Sequence, residues 1–238
     1  MEKQYESLRK MPLFKGLGAE ELAMIAGAAI EKHVKKGSHI FYQGDPQKAV
    51  YFIRKGEVKI YRNDLNGKEQ IITLLREGDM FPHVGFFRKI RYPANSLAIE
   101  ETDLLAVRIS DFEKVLLENP HLAMTLYRVM SDEILDLQDR LEAQILNSAY
   151  EQVIKLFLRL ARSHGTAADE AGFILVKVPL NNTDLASMIG VTRETISRTI
   201  HRLKQKNLII PQEKGTYLIH LEQLTNELLD GPEQTKNT

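Results

Sequence analysis

Residues 31–110 carry short apolar runs that are separated by turns containing glycine, such as Lys55-Gly56 and Asn66-Gly67. Apolar runs spaced by roughly 8–12 residues are typical of an antiparallel β-sandwich or barrel. Asn66-Gly67 predicts a type I′ hairpin, because both central residues of that turn need positive φ. The predicted strands cover residues 39–43, 50–54, 58–62, 70–75, 96–100 and 104–109.

Apolar residues are spaced as in a helix over residues 1–30, and again after residue 110, where the strand pattern ends. Ser110-Asp-Phe-Glu113 predicts a capping box, and a long amphipathic helix is expected over about 121–148. Two interpretations stay open for its apolar stripe. The helix packs on its own domain, or it pairs with a second copy, since near-heptad spacing suits helix pairing. The predicted dimer seam consists of Met130, Ile134, Leu137, Leu141 and Ile145.

A second, smaller domain is expected after the long helix, with a helix over 151–163, a strand over 173–178 and a β-hairpin over 208–220. Between the strand and the hairpin, two short helical patterns flank Gly190, and Thr192 predicts the N-cap of the second. This arrangement is a helix–turn–helix pattern, in which the glycine supplies the turn.

The second helix of this pattern carries the candidate DNA contacts. Ile196, Ile200 and Leu203 step by four and three residues, so they share an inner face. Polar side chains then occupy the outer face near the helix N-terminus, where recognition helices meet base edges. Arg pairs with guanine O6 and N7, and Glu accepts from cytosine N4. The predicted DNA-binding residues are Thr192, Arg193, Glu194, Ser197, Arg198, Arg202 and Lys204.

Charge supports this assignment locally but not globally. The chain has 32 Lys+Arg against 32 Asp+Glu, a net charge of zero, so the whole protein gives no sign of nucleic acid. Residues 193–214 alone carry a net positive charge from six basic and two acidic side chains. The alternative interpretation, that Arg and Glu only solvate a surface helix, is disfavoured by the helix–turn–helix spacing and the hairpin behind it.

Composition excludes several classes of function. The 238 residues contain no cysteine, which excludes disulfides, thiolate catalysis, cysteine-held iron–sulfur clusters and cysteine-based zinc sites. Neither a membrane span nor a secretory signal is found, so a cytoplasmic location without membrane attachment is expected. No catalytic constellation stands out, so no enzyme activity is predicted. The seven histidines form no close ligand pair, so no metal site is predicted, although heme is harder to exclude.

The chain from about Leu8 to Leu224 resembles the Crp/Fnr family of bacterial transcription regulators. The resemblance rests on the glycine-punctuated strands, Gly78-Asp79 with Gly85-Phe-Phe87, the long helix and Thr192-Arg-Glu-Thr-Ile-Ser-Arg198. It implies an α+β fold with three parts: an antiparallel β-roll sensor domain of the cyclic-nucleotide-binding type (1–118), a dimerisation helix (119–148) and a C-terminal winged helix–turn–helix (149–238).

The resemblance also implies a homodimer that binds a palindromic promoter site on double-stranded DNA, with RNA polymerase as a further partner. Arg193, Glu194 and Arg198 match the base-reading positions of the family, and Ser197 matches an extra contact of its Fnr branch. The implied half-site resembles TGTGA or TTGA. Phe81-Pro82 resembles the branch that controls arginine catabolism in Gram-positive bacteria.

Cyclic-AMP-binding members hold the ribose with a Glu, the phosphate with an Arg-Ser pair and the base with a Thr-Ser pair. Here His83, Ala94-Asn95 and Leu137-Gln138 stand at those positions. A buried phosphate without Arg lacks its bidentate, charge-assisted partner. The resemblance therefore implies a regulator that needs neither cyclic AMP nor any other cofactor.

Other interpretations stay open. Arg88, Lys89 or Arg91 could replace the missing Arg, and the roll would then bind a small anionic effector. A different class of protein, a nucleotide-sensing module without DNA binding, is the further alternative. The candidate effector pocket consists of His83, Arg88, Arg91, Asn95, Leu137 and Gln138.

Overall fold

The protein is described from a computed structural model over residues 2–213 and 215–230. The chain forms two compact units, Met1–Asp136 and Leu137–Thr238, and the boundary falls inside one long helix. No helix of the described ranges is both long and apolar enough to span a bilayer.

The first unit is a β-roll flanked by helices. The helices are α1 (Glu2–Arg9), a short 3-10 helix (Pro12–Phe14), α2 (Ala19–Ala28), α3 (Ile109–Glu118) and the start of α4 (Pro120–Leu146). The strands are β1 (Ile30–Val34), β2 (His39–Phe41), β3 (Ala49–Lys55), β4 (Val58–Asn63), β5 (Glu69–Leu75), β6 (Met80–Phe81), β7 (Asn95–Ala98) and β8 (Thr102–Arg108). Two four-stranded antiparallel sheets, of order β1-β8-β3-β6 and β2-β7-β4-β5, form the roll.

The helices of the first unit cover one sheet through an apolar core. Phe14, Phe52 and Phe112 are fully buried there, and the Phe52 ring lies 5.1 Å from Phe14 and 5.6 Å from Phe112 between centroids. Leu122 at the start of α4 joins the same core. Each such side chain contributes about 1.5–3 kcal/mol on burial, so this core fixes where the long helix begins.

Two local predictions in the first unit are wrong. The β4–β5 hairpin exists, but its loop is longer than a type I′ turn, with Asn63 opposite Glu69. Within this loop only Gly67 has positive φ, and the Asp64 carboxylate accepts hydrogen bonds from the backbone of Asn66 and Lys68. The chain therefore turns around an aspartate side chain.

The second error concerns the start of α3. The helix begins at Ile109 with Arg108 as N-cap, so Ser110 lies inside the first turn and caps nothing. The Arg108 guanidinium instead donates to the Asp111 carboxylate over 2.8 Å. This ion pair places a negative charge at the positive end of the helix dipole, which is favourable.

The second unit contains the end of α4 and a small helical domain with one sheet. The helices are α5 (Ala149–His164), α6 (Asn182–Ile189), α7 (Arg193–Gln205) and α8 (Leu221–Asp230). Ser148 and Glu151 form a capping box at the start of α5. The strands are β9 (Gly165–Ala167), β10 (Phe173–Lys177), β11 (Ile209–Pro211) and β12 (Thr216–His220), and they form a four-stranded sheet of order β11-β12-β10-β9. The two units confirm the predicted fold class, a β-roll, a long helix and a winged helix–turn–helix.

Candidate nucleic-acid interface and effector pocket

Side-chain caps start both α6 and α7, and Gly190 supplies the turn between the two helices. The Asn181 amide oxygen accepts from the backbone of Thr183 and Asp184 at 2.7 and 3.1 Å. Gly190 ends α6 in the left-handed region, at φ 72°. The Thr192 hydroxyl then accepts from the backbone of Thr195 at 3.2 Å and starts α7. Polar side chains thus satisfy backbone donors that each helix start leaves free.

The inner face of α7 is apolar and buried. Ile196 and Leu203 are fully buried, and Thr199 and Ile200 are nearly so. On α6, Leu185 and Ala186 are buried as well. Because one face of α7 is held in this core, the opposite face of the helix is turned to solvent.

The solvent face of α7 carries the predicted base contacts. Arg193, Glu194, Ser197 and Arg198 are all exposed, and all lie within the first two turns of the helix. Backbone hydrogen bonding and the Thr192 hydroxyl lower the pKa of Glu194, so its carboxylate is an ionised acceptor. This face offers two guanidinium groups, one carboxylate and one hydroxyl, the groups that read base edges in a major groove.

A hairpin wing lies beside the start of α7. An open cleft of about 450 Å³ is lined by Arg193, the residues that begin α6, and the β11–β12 turn. Gly215 in that turn has φ 77°, and a Cβ there would meet the Val178 carbonyl oxygen at 2.1 Å. The wing therefore requires glycine at this position.

The predicted DNA contacts at the end of α7 have different surroundings. Lys204 is exposed, whereas Arg202 is half-buried with its guanidinium 4.3 Å from the centroid of the Tyr150 ring. Lys206, counted in the local charge, is paired with Glu227 over 2.8 Å. Lys214, counted there too, lies outside the described residues.

The interior of the β-roll is filled by aromatic rings. Phe41 and Tyr92 stack with centroids 3.7 Å apart and an interplanar angle of 6°. Tyr51 and Phe81 stack beside them at 5.3 Å, and all four side chains are buried. The Tyr92 hydroxyl donates to the Ala49 carbonyl oxygen over 3.1 Å, and burial raises the pKa of the Tyr51 hydroxyl.

The candidate effector residues of the first unit are exposed or half-buried. The Arg91 guanidinium is exposed and donates to the Gly44 carbonyl oxygen over 2.6 Å, and Arg88 is exposed as well. His83 is half-buried. The Asn95 amide oxygen accepts from the Gln43 backbone at 2.9 Å. The side chains of Arg91 and Asn95 therefore both hydrogen-bond to the backbone of the segment 43–44.

The remaining candidates lie on α4. Leu137 and Gln138 are both exposed and belong to the second unit. The predicted seam along this helix is exposed too, except at Met130, which packs against the core of the first unit. Exposed fractions are 54% for Ile134, 50% for Leu137, 62% for Leu141 and 71% for Ile145. A run of large apolar side chains with such exposure is typical of an interaction surface.

The sequence did not predict the side chains of α5 and α8 that contact the C-terminal end of α7. Tyr150 donates its hydroxyl to the Glu227 carboxylate over 2.7 Å, and these residues lie 77 positions apart. No local pattern brings them together, although Tyr150 at the start of an amphipathic helix is a weak signal. Among the described residues, no group of three or more His, Asp or Glu side chains could hold a metal ion.

Comparison with known proteins identifies both units. A cyclic nucleotide-binding domain model matches residues 31–119, and a Crp-like helix-turn-helix domain model matches residues 122–227. The chain is 26% identical to the cyclic AMP receptor protein of Thermus thermophilus over 202 residues, which cover 85% of this chain and 89% of that protein. It is 29% identical to the global nitrogen regulator of Nostoc over 196 residues, with 82% and 87% covered.

A solved structure agrees with these matches. The structure of FixK2 from Bradyrhizobium japonicum superposes with a TM-score of 0.73 at 24% identity, covering 83% of this chain and 96% of that one. The two domain models together span most of the chain, with the cyclic nucleotide-binding domain first and the helix-turn-helix domain after it. The chain belongs to the Crp/Fnr family of DNA-binding transcription regulators, which are not enzymes.

Proposed function

We propose that the protein is a homodimeric regulator that binds a palindromic TGTGA- or TTGA-like promoter site without requiring cyclic AMP. The observation that carries this proposal is the capped helix α7, whose exposed first two turns present Arg193, Glu194, Ser197 and Arg198. Two arginines and one ionised carboxylate suit guanine and cytosine edges, which both half-site forms contain.

The dimer is supported by the exposed apolar stripe of α4. Ile134, Leu137, Leu141 and Ile145 repeat at steps of three and four residues, so one side of the helix carries all of them. Two copies pairing along this stripe remove it from water. The proposed function also requires a dimer, because two recognition helices must lie about 34 Å apart to read a palindrome in successive major grooves.

Independence from cyclic AMP is supported by the contents of the roll. The stacked rings of Phe41, Tyr92, Tyr51 and Phe81 occupy its interior. Arg91 points its guanidinium at the carbonyl of Gly44. A nucleotide phosphate therefore gains no buried arginine unless Arg91, or the exposed Arg88, leaves its present place.

The three-part division into sensor domain, dimerisation helix and DNA-binding domain belongs to the same proposal. So do a cytoplasmic location and a contact with RNA polymerase, since a promoter-bound regulator acts where the genome and polymerase are.

The test is a titration of purified protein against an operator obtained by selection from random DNA, with and without millimolar cyclic AMP. We expect a palindromic operator bound at ~10⁻⁸ M or tighter at moderate salt, and no change on adding the nucleotide. Calorimetry of the nucleotide alone serves as the second readout. A tenfold shift in operator affinity, or saturable micromolar nucleotide binding, would refute cyclic AMP independence and favour an effector-dependent regulator. A protein that selects no operator would instead favour a sensing module without DNA binding.

A further inference from the structure

The carboxylate of Glu227 on α8 is the centre of a polar cluster at the C-terminal end of the recognition helix α7. The Tyr150 hydroxyl donates to its Oε1 over 2.7 Å, and the Lys206 ammonium donates to both carboxylate oxygens at 2.8 Å. The Arg202 guanidinium stacks over the ring of the same tyrosine. We call Tyr150, Arg202, Lys206 and Glu227 the Glu227 cluster.

The Glu227 cluster is partly removed from water. Only 13% of the Glu227 side chain is exposed. Burial of this carboxyl opposes ionisation, but hydrogen bonds from Lys206 and Tyr150 and the charges of Lys206 and Arg202 outweigh it, and the pKa of Glu227 is lowered. An ion pair in such surroundings is screened less than one in open solvent, so it holds its partners in place more firmly.

Both cations of the Glu227 cluster lie at the C-terminal end of α7, Arg202 in its last turn and Lys206 as its C-cap. Arg202 and Lys206 follow the buried Thr199 by three and seven residues, so they lie on the stripe that borders the inner face of the helix. Arg198 lies four residues before Arg202, so it is on the same row, about 40° further round the helix towards solvent. The contacts separate these side chains. Arg202 contacts the Tyr150 ring on α5, and Lys206 pairs with Glu227 on α8, whereas Arg198 is exposed on the solvent face.

We propose that Glu227 is a positioning residue for the recognition helix, and that Arg202 and Lys206 serve to fix α7 through it and do not contact DNA phosphates. This inference rests on the proposed DNA-reading function. Helices α5 and α8 then supply one anchor each, Tyr150 and Glu227, to the last turns of α7. A base-reading side chain needs a rigid support, because small shifts of the helix misplace its hydrogen bonds.

The test compares Lys206→Ala with Lys204→Ala. Both lysines are exposed, but Lys204 lies in the last turn of α7 and forms no ion pair with any described residue, whereas Lys206 caps the helix and pairs with Glu227. Fluorescence anisotropy measures binding to the operator and to an unrelated duplex over a series of salt concentrations. We expect Lys206→Ala to lose about tenfold in operator affinity, the size of a typical coupling between contacting residues. Its salt dependence and its affinity for unrelated DNA stay at wild-type values, and Lys206→Arg restores the operator affinity.

Lys204→Ala gives the contrasting pattern of a side chain that neutralises phosphate. It weakens both DNAs alike, and the slope of log affinity against log salt flattens by about 0.9 for each phosphate that the variant no longer neutralises. The same flattening in Lys206→Ala would overturn the proposal, and so would a Lys206→Ala protein with unchanged operator affinity. A wild-type protein that does not prefer its operator over unrelated DNA would overturn the proposed function, and this proposal with it.

A double-mutant cycle tests whether Lys206 acts through Glu227. We expect Glu227→Gln to lose about as much operator affinity as Lys206→Ala, and the double variant to lose no more than either, because all three remove one interaction. Additive losses would refute the positioning role. If either variant does not fold, Tyr150→Phe keeps the ring beneath Arg202 and removes only the hydroxyl. We then expect a smaller loss confined to the operator, and a loss shared by both DNAs would refute the proposal.

Discussion

The proposed dimer seam predicts that two charges on α4 separate the protomers. The double variant Ile134→Asp/Leu141→Asp replaces two side chains that are 54% and 62% exposed. Full burial of such a side chain contributes about 1.5–3 kcal/mol, so covering the exposed half contributes ~1–1.5 kcal/mol. Four side chains change in a dimer, which gives a loss of about 4–6 kcal/mol before the cost of burying the aspartates is counted. The dissociation constant should therefore rise by about 10³–10⁴-fold.

Sedimentation velocity measures the state of the double variant at micromolar concentration, and circular dichroism checks that the β-roll remains folded. We expect a folded monomer that no longer binds the operator specifically, because a single recognition helix reads only one half-site. The matched control is Leu135→Asp. Leu135 is 59% exposed but lies about 100° round the helix from Ile134, so its variant should remain a dimer. An unchanged dimer in the double variant, or an equal effect of Leu135→Asp, would place the interface elsewhere.

Two further predictions concern base reading and pH. Arg193→Ala should cost ~1–3 kcal/mol at one symmetric base pair and relax discrimination there; binding to operators changed at each position checks this, and an equal loss for every base would contradict a base contact. Burial, together with the charge of Glu100, raises the pKa of Glu57 to about 7. The folded protein then keeps a proton that the unfolded chain releases above its ordinary pKa of about 4.5, so the free energy of unfolding falls as pH rises between these values. Glu57→Gln should abolish this decline and leave the variant ~1–2 kcal/mol more stable than wild type at pH 8, since solvent screens part of the effect. Denaturant titrations at pH 4 and pH 8 measure the difference, which should be present only at pH 8.

The helix–turn–helix could be predicted from sequence because its determinants are local. Asn181 and Thr192 act within three residues of themselves, and Gly190 acts at its own φ. The first strand of the roll could not be predicted, since Ile30–Val34 is mostly exposed and carries charged side chains. It is a strand because β8 pairs with it along its whole length, from Ile30 opposite Ala106 to Val34 opposite Thr102. An edge strand of this kind has no apolar pattern to detect.

The aromatic interior of the β-roll could not be predicted from the sequence either. The residues at the expected effector positions could be compared with a family pattern one by one, and the missing arginine was visible in that way. The aromatic stack was not, because Phe41 and Tyr92 lie 51 positions apart and meet only when the roll closes. The structure adds a second observation to the comparison of residues, because the interior of the roll is occupied by the protein's own aromatic rings.

The basic patch of α7 shows why charge counted along a sequence overstates the charge available to DNA. The sequence gives residues 193–214 a net charge of +4, obtained from six basic and two acidic side chains. In the folded unit, Lys206 is neutralised by Glu227, which lies outside that window, and Arg202 is turned onto an aromatic ring of another helix. Of the described residues in this window, the exposed cations outside that ion pair are Arg193 and Arg198 at the start of α7, and Lys204 further along. Phosphate contacts give affinity for any sequence, whereas base contacts give specificity. On the proposed function, we therefore expect the engagement of two cations at the distal end of the helix to lower the affinity for unrelated DNA. We expect base contacts from the first two turns to be unaffected, so the ratio between operator and unrelated DNA should rise.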